Sequence, residues 1–220
     1  MCSHYDPLIH PQRLADHFGV SDLLLDLKPS LWPGYLGPFV RRHPFAEVGD
    51  ETVPDRELQV GSFGLIPRWA KDTTIARHTY NARTETVHEK PSYRDAWRQR
   101  RHCIIPAEAF YEPDWRSGKA VPTRIRRADG KPLGIAGLWS SWRQPSGETL
   151  HSYTMLTINA DSHPLMRQFH KTDDEKRMVV ILNEADYDAW LTAGEVERQN
   201  FLAPFPAELL ASEPPQASLL

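Results

Sequence analysis

Apolar positions along this chain come in short runs, most of them with a period near two. Residues 57–66, ELQVGSFGLI, alternate in part and predict a strand that Pro67 ends. Residues 103–112, CIIPAEAFYE, are apolar and β-rich although they carry Pro106 and two acids. VPTRIRR at 121–127 predicts an edge strand running into an ADGKP turn. LGIAGLW at 133–139, YTMLTIN at 153–159 and MVVIL at 178–182 are continuous enough to predict buried strands. Three stretches change period. Residues 10–19 put Leu14 and Phe18 on one helix face and stop at Gly19. Residues 92–101 predict a helix capped by Ser92, with Asp95 three residues on. Residues 184–192 predict another, capped by Asn183 with Asp186 at its third position. Residues 28–45 hold four prolines and two glycines and read as extended and turn-rich.

Strands dominate, helices stand at the beginning, middle and end, and the regular strand–helix alternation of a doubly wound sheet is missing. The pattern predicts a single α+β domain with a curved, barrel-like mixed β-sheet core and peripheral helices. It covers residues 1–210, with 211–220 as a flexible tail. Composition agrees. The chain has 220 residues, 40% hydrophobic and 25% charged, ordinary for one globular core. Nineteen prolines argue against a long-helix bundle. No apolar run reaches the roughly 20 residues that span a bilayer. The opening MCSHYDPLIH lacks the basic-then-apolar order of a secretory signal. A cytoplasmic protein without a membrane partner is expected, in a compartment that keeps thiols reduced. Two cysteines, Cys2 and Cys103, form neither a disulfide framework nor a four-cysteine metal site. A net charge of −3 leaves only local basic clusters for a polyanion. These are Arg41 and Arg42; Arg94, Arg98, Arg100 and Arg101; and Arg124, Arg126 and Arg127, each read as solvated surface or as part of a basic groove.

Candidate chemistry begins at Cys2. A small second residue favours removal of Met1, which leaves an α-amine with a reference pKa of about 7.7–8.0 beside a thiol near 8.5. Such a pair can attack a carbonyl through sulfur, as N-terminal nucleophile hydrolases do. It can also condense with an aldehyde through nitrogen and close a thiazolidine through sulfur. Alone, Cys2 reads equally as an incidental residue at a frayed terminus. Four segments add to it. GLIPRW (64–69) offers Trp69 as core or as a stacking platform for a base. NARTET (81–86) offers an amide beside an arginine, or a turn. CIIPAEAFYE offers Glu108 and Glu112 as general acids or bases. Residues 157–178 place His163 and His170 around a short helical stretch, with no strong metal-ligand spacing.

As an ordered set, these residues resemble the SOS response-associated peptidase (SRAP) family, the abasic-site processing proteins. The matching parts are Met1–Cys2, Gly64 to Pro67 with Trp69, and Asn81-Ala82-Arg83 with Glu85 and Thr86. Arg101, Cys103 to Ala107, Phe110-Tyr111-Glu112, Thr157 with Asn159-Ala160, His170 and Arg177-Met178 complete them. The resemblance implies a single barrel-like α+β domain that binds single-stranded DNA containing abasic sites. Cys2 would capture the ring-opened sugar aldehyde as a thiazolidine, and autoproteolytic or peptidase activity belongs to the family as well. Asn81 would hold the sugar or the cysteine terminus, Glu112 would manage protons, and His170 would assist sugar opening. Arg83, Trp69, His4, Trp115 and Thr157 are the implied DNA contacts. The resemblance implies no cofactor, no metal and a monomer, nucleoid-associated when on DNA.

Three departures stand out. His4 replaces an arginine in the family's usual MCGR start, a weaker cation for phosphate. Pro113 and Asp114 intervene before Trp115, where the family has tryptophan directly after the glutamate. Lys171 to Lys176 separate His170 from Arg177, which leaves His163 as the alternative histidine. Two other readings stay open: an N-terminal-cysteine amidase or peptidase without a DNA substrate, and a non-enzymatic nucleic-acid- or protein-binding module.

Overall fold

The computed structural model describes residues 2–20, 27–46 and 52–213. Its strands are β1 (Tyr5–Pro7), β2 (Leu36–Arg42), β3 (Arg56–Phe63), β4 (Asn81–Arg83), β5 (His102–Asp114), β6 (Val121–Arg127), β7 (Leu133–Arg143), β8 (Thr149–Asn159), β9 (Arg177–Val179), β10 (Ile181–Leu182) and β11 (Leu210–Glu213). The helices are α1 (Pro11–Phe18), α2 (Arg94–Arg98) and α3 (Tyr187–Thr192). β5 pairs with β7, β7 with β8, β8 with β3, β3 with β2, and β2 returns to β5 at Val40–Ile104, so the sheet closes into a barrel. The β3–β8 pair is parallel and its neighbours in the ring are antiparallel, which makes the barrel mixed. Closure removes sheet edges that would otherwise template aggregation.

The inward faces fill with rings. Tyr5, Phe39, Phe63 and Tyr153 are fully buried. Tyr5 meets Phe63 edge-on at 5.1 Å, and Phe63 stacks on Tyr153 at 5.7 Å. The Tyr5 and Tyr153 hydroxyls bond to each other, which satisfies two polar groups that burial would otherwise penalise. Outside the barrel, α1 buries Leu14 and Phe18, the two residues its spacing put on one face, and Gly19 ends it at φ +66°. Phe18 stacks on Tyr187 of α3 at 5.2 Å.

Several elements differ from expectation. The strand foreseen at 57–66 stops at Phe63, not at Pro67. Gly64 takes φ +115°, and a Cβ there would lie 2.0 Å from the Ala76 carbonyl oxygen. The helix foreseen at 92–101 is shorter and has Tyr93, not Ser92, before its first turn. The run 178–182 is divided between β9 and β10. β6 is not an edge strand, because β11 pairs along its outer side from Leu210–Arg127 to Glu213–Arg124. β11 takes residues 211–213 out of the supposed tail, and 214–220 lie outside the described residues. Among the described residues, no helix is long and apolar enough to cross a membrane.

Candidate active site

Residue 2 is held from two directions. β1 runs antiparallel to β5 with Tyr5 opposite Phe110, and the Tyr111 N–H donates to the His4 carbonyl at 3.0 Å. From the other side, Nδ2 of Asn81 donates to the Cys2 carbonyl at 2.6 Å. Asn81 is itself fixed. β4 lies parallel to β8 with Asn81 opposite Met155, and the Asn81 carbonyl accepts the Tyr93 hydroxyl at 2.9 Å. Period two puts Asn81 and Arg83 on one face of β4, the first buried and the second exposed, with Ala82 turned the other way.

Cys2 is fully buried, and its Sγ–H donates to the His4 carbonyl at 3.4 Å. Burial, with the nearby charge of Glu112 adding to it, pushes the thiol up to about 12. At neutral pH this sulfur carries its proton.

Glu112, on β5, is 1% exposed, and its Oε2 lies 3.1 Å from Nε2 of His170. Two of the departures from the family pattern meet here. The His170 N–H donates to the Pro113 carbonyl at 2.8 Å, and the Lys171 ammonium sits 4.8 Å from the centre of the Trp115 ring. Pro113, which follows Glu112, therefore anchors His170, and Lys171 packs on the displaced Trp115. His170 takes a left-handed φ of +63°, an uncommon conformation outside glycine, and thereby turns its ring toward Glu112. His163 has a different job. Its Nδ1 accepts the Leu165 and Met166 N–H groups and its Nε2 faces the Phe205 carbonyl at 2.8 Å. Both nitrogens are occupied, so His163 is a buried clasp.

Other foreseen residues divide. Glu108 pairs with Arg13 and stays out of the Cys2 site. Trp69 is 55% exposed, and its indole N–H donates to the Pro91 carbonyl at 3.3 Å. Arg83 is half exposed and pairs with Glu175 at 2.8 Å. His4 is not the weak surface cation expected. It is stacked between Trp32 at 4.4 Å and Tyr111 at 4.1 Å, and burial lowers its pKa, so it is neutral at pH 7. Thr157 is no surface contact either. It is 1% exposed, and both its hydroxyl and its carbonyl accept from Arg177. Arg177 in turn binds Glu85 through two nitrogens at 2.9 Å and Glu175 at 2.7 Å.

Tyr93, which fixes Asn81, and Trp32, which covers His4, carry no signal in the sequence. Tyr80 was unmarked as well, a half-buried phenol whose pKa burial raises, with the nearby Cys2 and Glu112 adding to the shift. An aromatic residue beside a motif reads as core, and no spacing rule would have marked these. Together the groups supply a protonated thiol, a fixed residue-2 carbonyl, and a carboxylate–imidazole pair able to move one proton. Such a set suits addition to a carbonyl carbon with proton exchange.

The chain is similar to known proteins in sequence and in fold. A family model described as SOS response associated peptidase (SRAP) matches residues 1–217. The abasic site processing protein YoqW of Bacillus subtilis is 37% identical over 150 residues, covering 66% of this chain and 63% of that protein. The abasic site processing protein HMCES of Xenopus tropicalis is 30% identical over 175 residues, covering 70% of this chain and 50% of that one. The chain thus spans between half and two thirds of these curated relatives. A crystal structure of a Bordetella bronchiseptica protein superposes with a TM-score of 0.87 at 46% identity, covering 98% of this chain and all of that one.

Proposed function

Because this chain belongs to the SOS response-associated peptidase (SRAP) family, we propose that it captures abasic sites in single-stranded DNA as a covalent thiazolidine on Cys2. Met1 must first leave, so that Cys2 carries a free amine. That amine adds to the aldehyde carbon of the ring-opened sugar, and the carbinolamine loses one water to give an imine. The S–H then adds across C=N. Sulfur bonds to the former aldehyde carbon, the thiol proton ends on nitrogen, and the five-membered ring closes.

The observation that carries this reading is the Asn81–Cys2 hydrogen bond, which holds residue 2 beside the Glu112–His170 pair. A thiol raised to about 12 fits this order of events. It is a poor first nucleophile toward an acyl carbon, yet it can add to an imine once nitrogen has activated the carbon. Glu112 and His170 move the protons that water loss and S–H addition require. The same protonated thiol weighs against an amidase that opens with sulfur attack. Exposed Trp69, and Arg83 on the same β-strand as Asn81, are the proposed stacking and phosphate contacts of the DNA strand.

The test is a denaturing gel of purified protein mixed with single-stranded DNA bearing one abasic site, with mass spectrometry of the product. A heat-stable adduct at residue 2, lighter than the sum of its parts by one water, is expected. No adduct over hours at neutral pH, or one mapped elsewhere, overturns the reading.

A further inference from the structure

A second group of cations lies away from Cys2. Arg94 and Arg98 of α2, Arg100 after it, and Arg198 line a cavity of about 410 Å³ with Trp97 and a single carboxylate, Glu195. The cations outnumber the carboxylates that pair with them. Among the described residues, Arg94 and Arg100 have no carboxylate within ion-pair distance, and Arg98 has only Asp95 at 3.2 Å. Glu195 is 88% exposed and stands 3.7 Å from Arg198.

Arg198 is the informative member. Its side chain is 5% exposed, its guanidinium lies 3.7 Å from the centre of the Trp97 ring, and one nitrogen donates to the Trp97 carbonyl at 2.7 Å. Its Nε–H is buried without an acceptor. Burial of a cation costs free energy that one solvent-exposed carboxylate offsets only in part. Burial also lowers the Arg198 and His102 pKa values, and the positive charge of Arg100 adds to both shifts. Arg100 holds a left-handed φ of +53°, a strained conformation for arginine, which brings it to this cavity and to a second one of about 470 Å³ shared with Arg42 and Arg101. Trp97 is 4% exposed and covered by Arg198, so the cavity offers no free ring face for a base.

Four guanidiniums against one largely exposed carboxylate in the lining, with no open stacking surface, suit a phosphate oxyanion. We infer that this arginine-lined cavity is a second, phosphate-binding site that takes a backbone phosphate of the single strand whose lesion sits at Cys2. The inference rests on the strand-binding reading above. The cavity is coupled to the reacting residue through a short path. α2 begins directly after Tyr93, Tyr93 holds the Asn81 carbonyl, and Asn81 holds the Cys2 carbonyl.

Arg94→Ala/Arg98→Ala tests the site, because both residues are exposed and their removal leaves the core intact. Lys131→Ala/Arg143→Ala removes the same charge elsewhere. Fluorescence anisotropy with an undamaged single strand should show about tenfold weaker binding for the first pair. Its plot of log affinity against log salt should be shallower by about 1.4, two phosphate contacts at roughly 0.7 each. The control pair should keep the wild-type slope. With abasic DNA, capture by the arginine variant should slow at low DNA concentration and reach the wild-type rate at saturation. Parallel titrations with inorganic phosphate, and with 5′-phosphorylated and 5′-hydroxyl strands, separate the phosphate sources. Loss only with a terminal or free phosphate would move the site from strand to phosphate end and overturn the backbone assignment. An unchanged slope and affinity, with wild-type adduct still forming, would overturn the cavity and leave the Cys2 chemistry standing. Absence of any wild-type adduct would instead remove the Cys2 reading.

Discussion

Nε2 of His170 lies 3.1 Å from Oε2 of Glu112, and both side chains are shielded from solvent. The carboxylate comes from the end of a long barrel strand, the imidazole from a loop with left-handed backbone, and the Pro113 carbonyl ties them together. In the proposed mechanism the pair supplies a proton donor and acceptor in one unit. Replacing Glu112 by Gln, or His170 by Ala, should slow covalent capture by about 10²-fold, in the range of a lost general acid or base. Glu108→Gln, on the Arg13 side, should change the rate by less than about twofold. Crosslink time courses for the three variants decide it, and a larger loss from Glu108→Gln would show the acid is misassigned.

His163→Ala should behave in the opposite way. It removes the acceptor for two backbone N–H groups and the partner of the Phe205 carbonyl. Leaving those groups buried and unpaired costs about 1–3 kcal/mol. Denaturant unfolding should show that loss, while the capture rate of the folded fraction stays near wild type.

Cys2→Ala should abolish the heat-stable adduct, because an amine alone gives only a hydrolysable imine. Cys2→Ser should give none or a far less durable one. Cys103→Ala should retain capture and lose about 1 kcal/mol of stability, since it deletes one buried sulfur from the barrel. Denaturing gels without borohydride, which would trap the imine, read all three.

Arg177→Met should destabilise the fold by about 1–3 kcal/mol at pH 7, as Thr157 loses two hydrogen bonds. The pH dependence has a sign. Burial alone would raise Glu85, but hydrogen bonds from Arg177 outweigh it, and the same guanidinium holds Glu175 low. Carboxylates depressed in the folded state contribute stability above their unfolded pKa, about 4.3, and lose it as pH falls through the folded value. Both are partly exposed, so screening limits their share. Thermal unfolding from pH 7 to 3 should show wild type losing stability below about pH 4, with a shallower loss in Arg177→Met.

Gly64→Ala should cost roughly 3 kcal/mol or more, since a Cβ would strike the Ala76 carbonyl at an already positive φ. Gly64 starts the turn from β3 toward Trp69, so the variant that folds should also bind single strands less well. Anisotropy alongside thermal unfolding measures both effects.

Patterning made most strands legible, because period two and apolar runs record which faces are buried. Leu14, Phe18 and Gly19 located α1 for the same local reason. The ordered motifs pointed to Cys2, Asn81, Glu112 and His170 as the residues that the proposed chemistry needs. Registry and closure were not legible. Nothing local says that Leu210 to Glu213 lies on β6, or that Val40 meets Ile104 to shut the barrel. Those pairings join residues distant in the chain and are chosen by the burial of the whole core. The choice between His163 and His170 was of the same kind. Either imidazole suits proton transfer by composition, and only tertiary hydrogen bonds occupy both nitrogens of one while turning the other toward Glu112. The sequence by itself determined which chemical groups the protein carries and which faces it buries. The tertiary structure decided which of those groups meet, because proximity across a closed barrel is a property of the packed chain and of no segment within it.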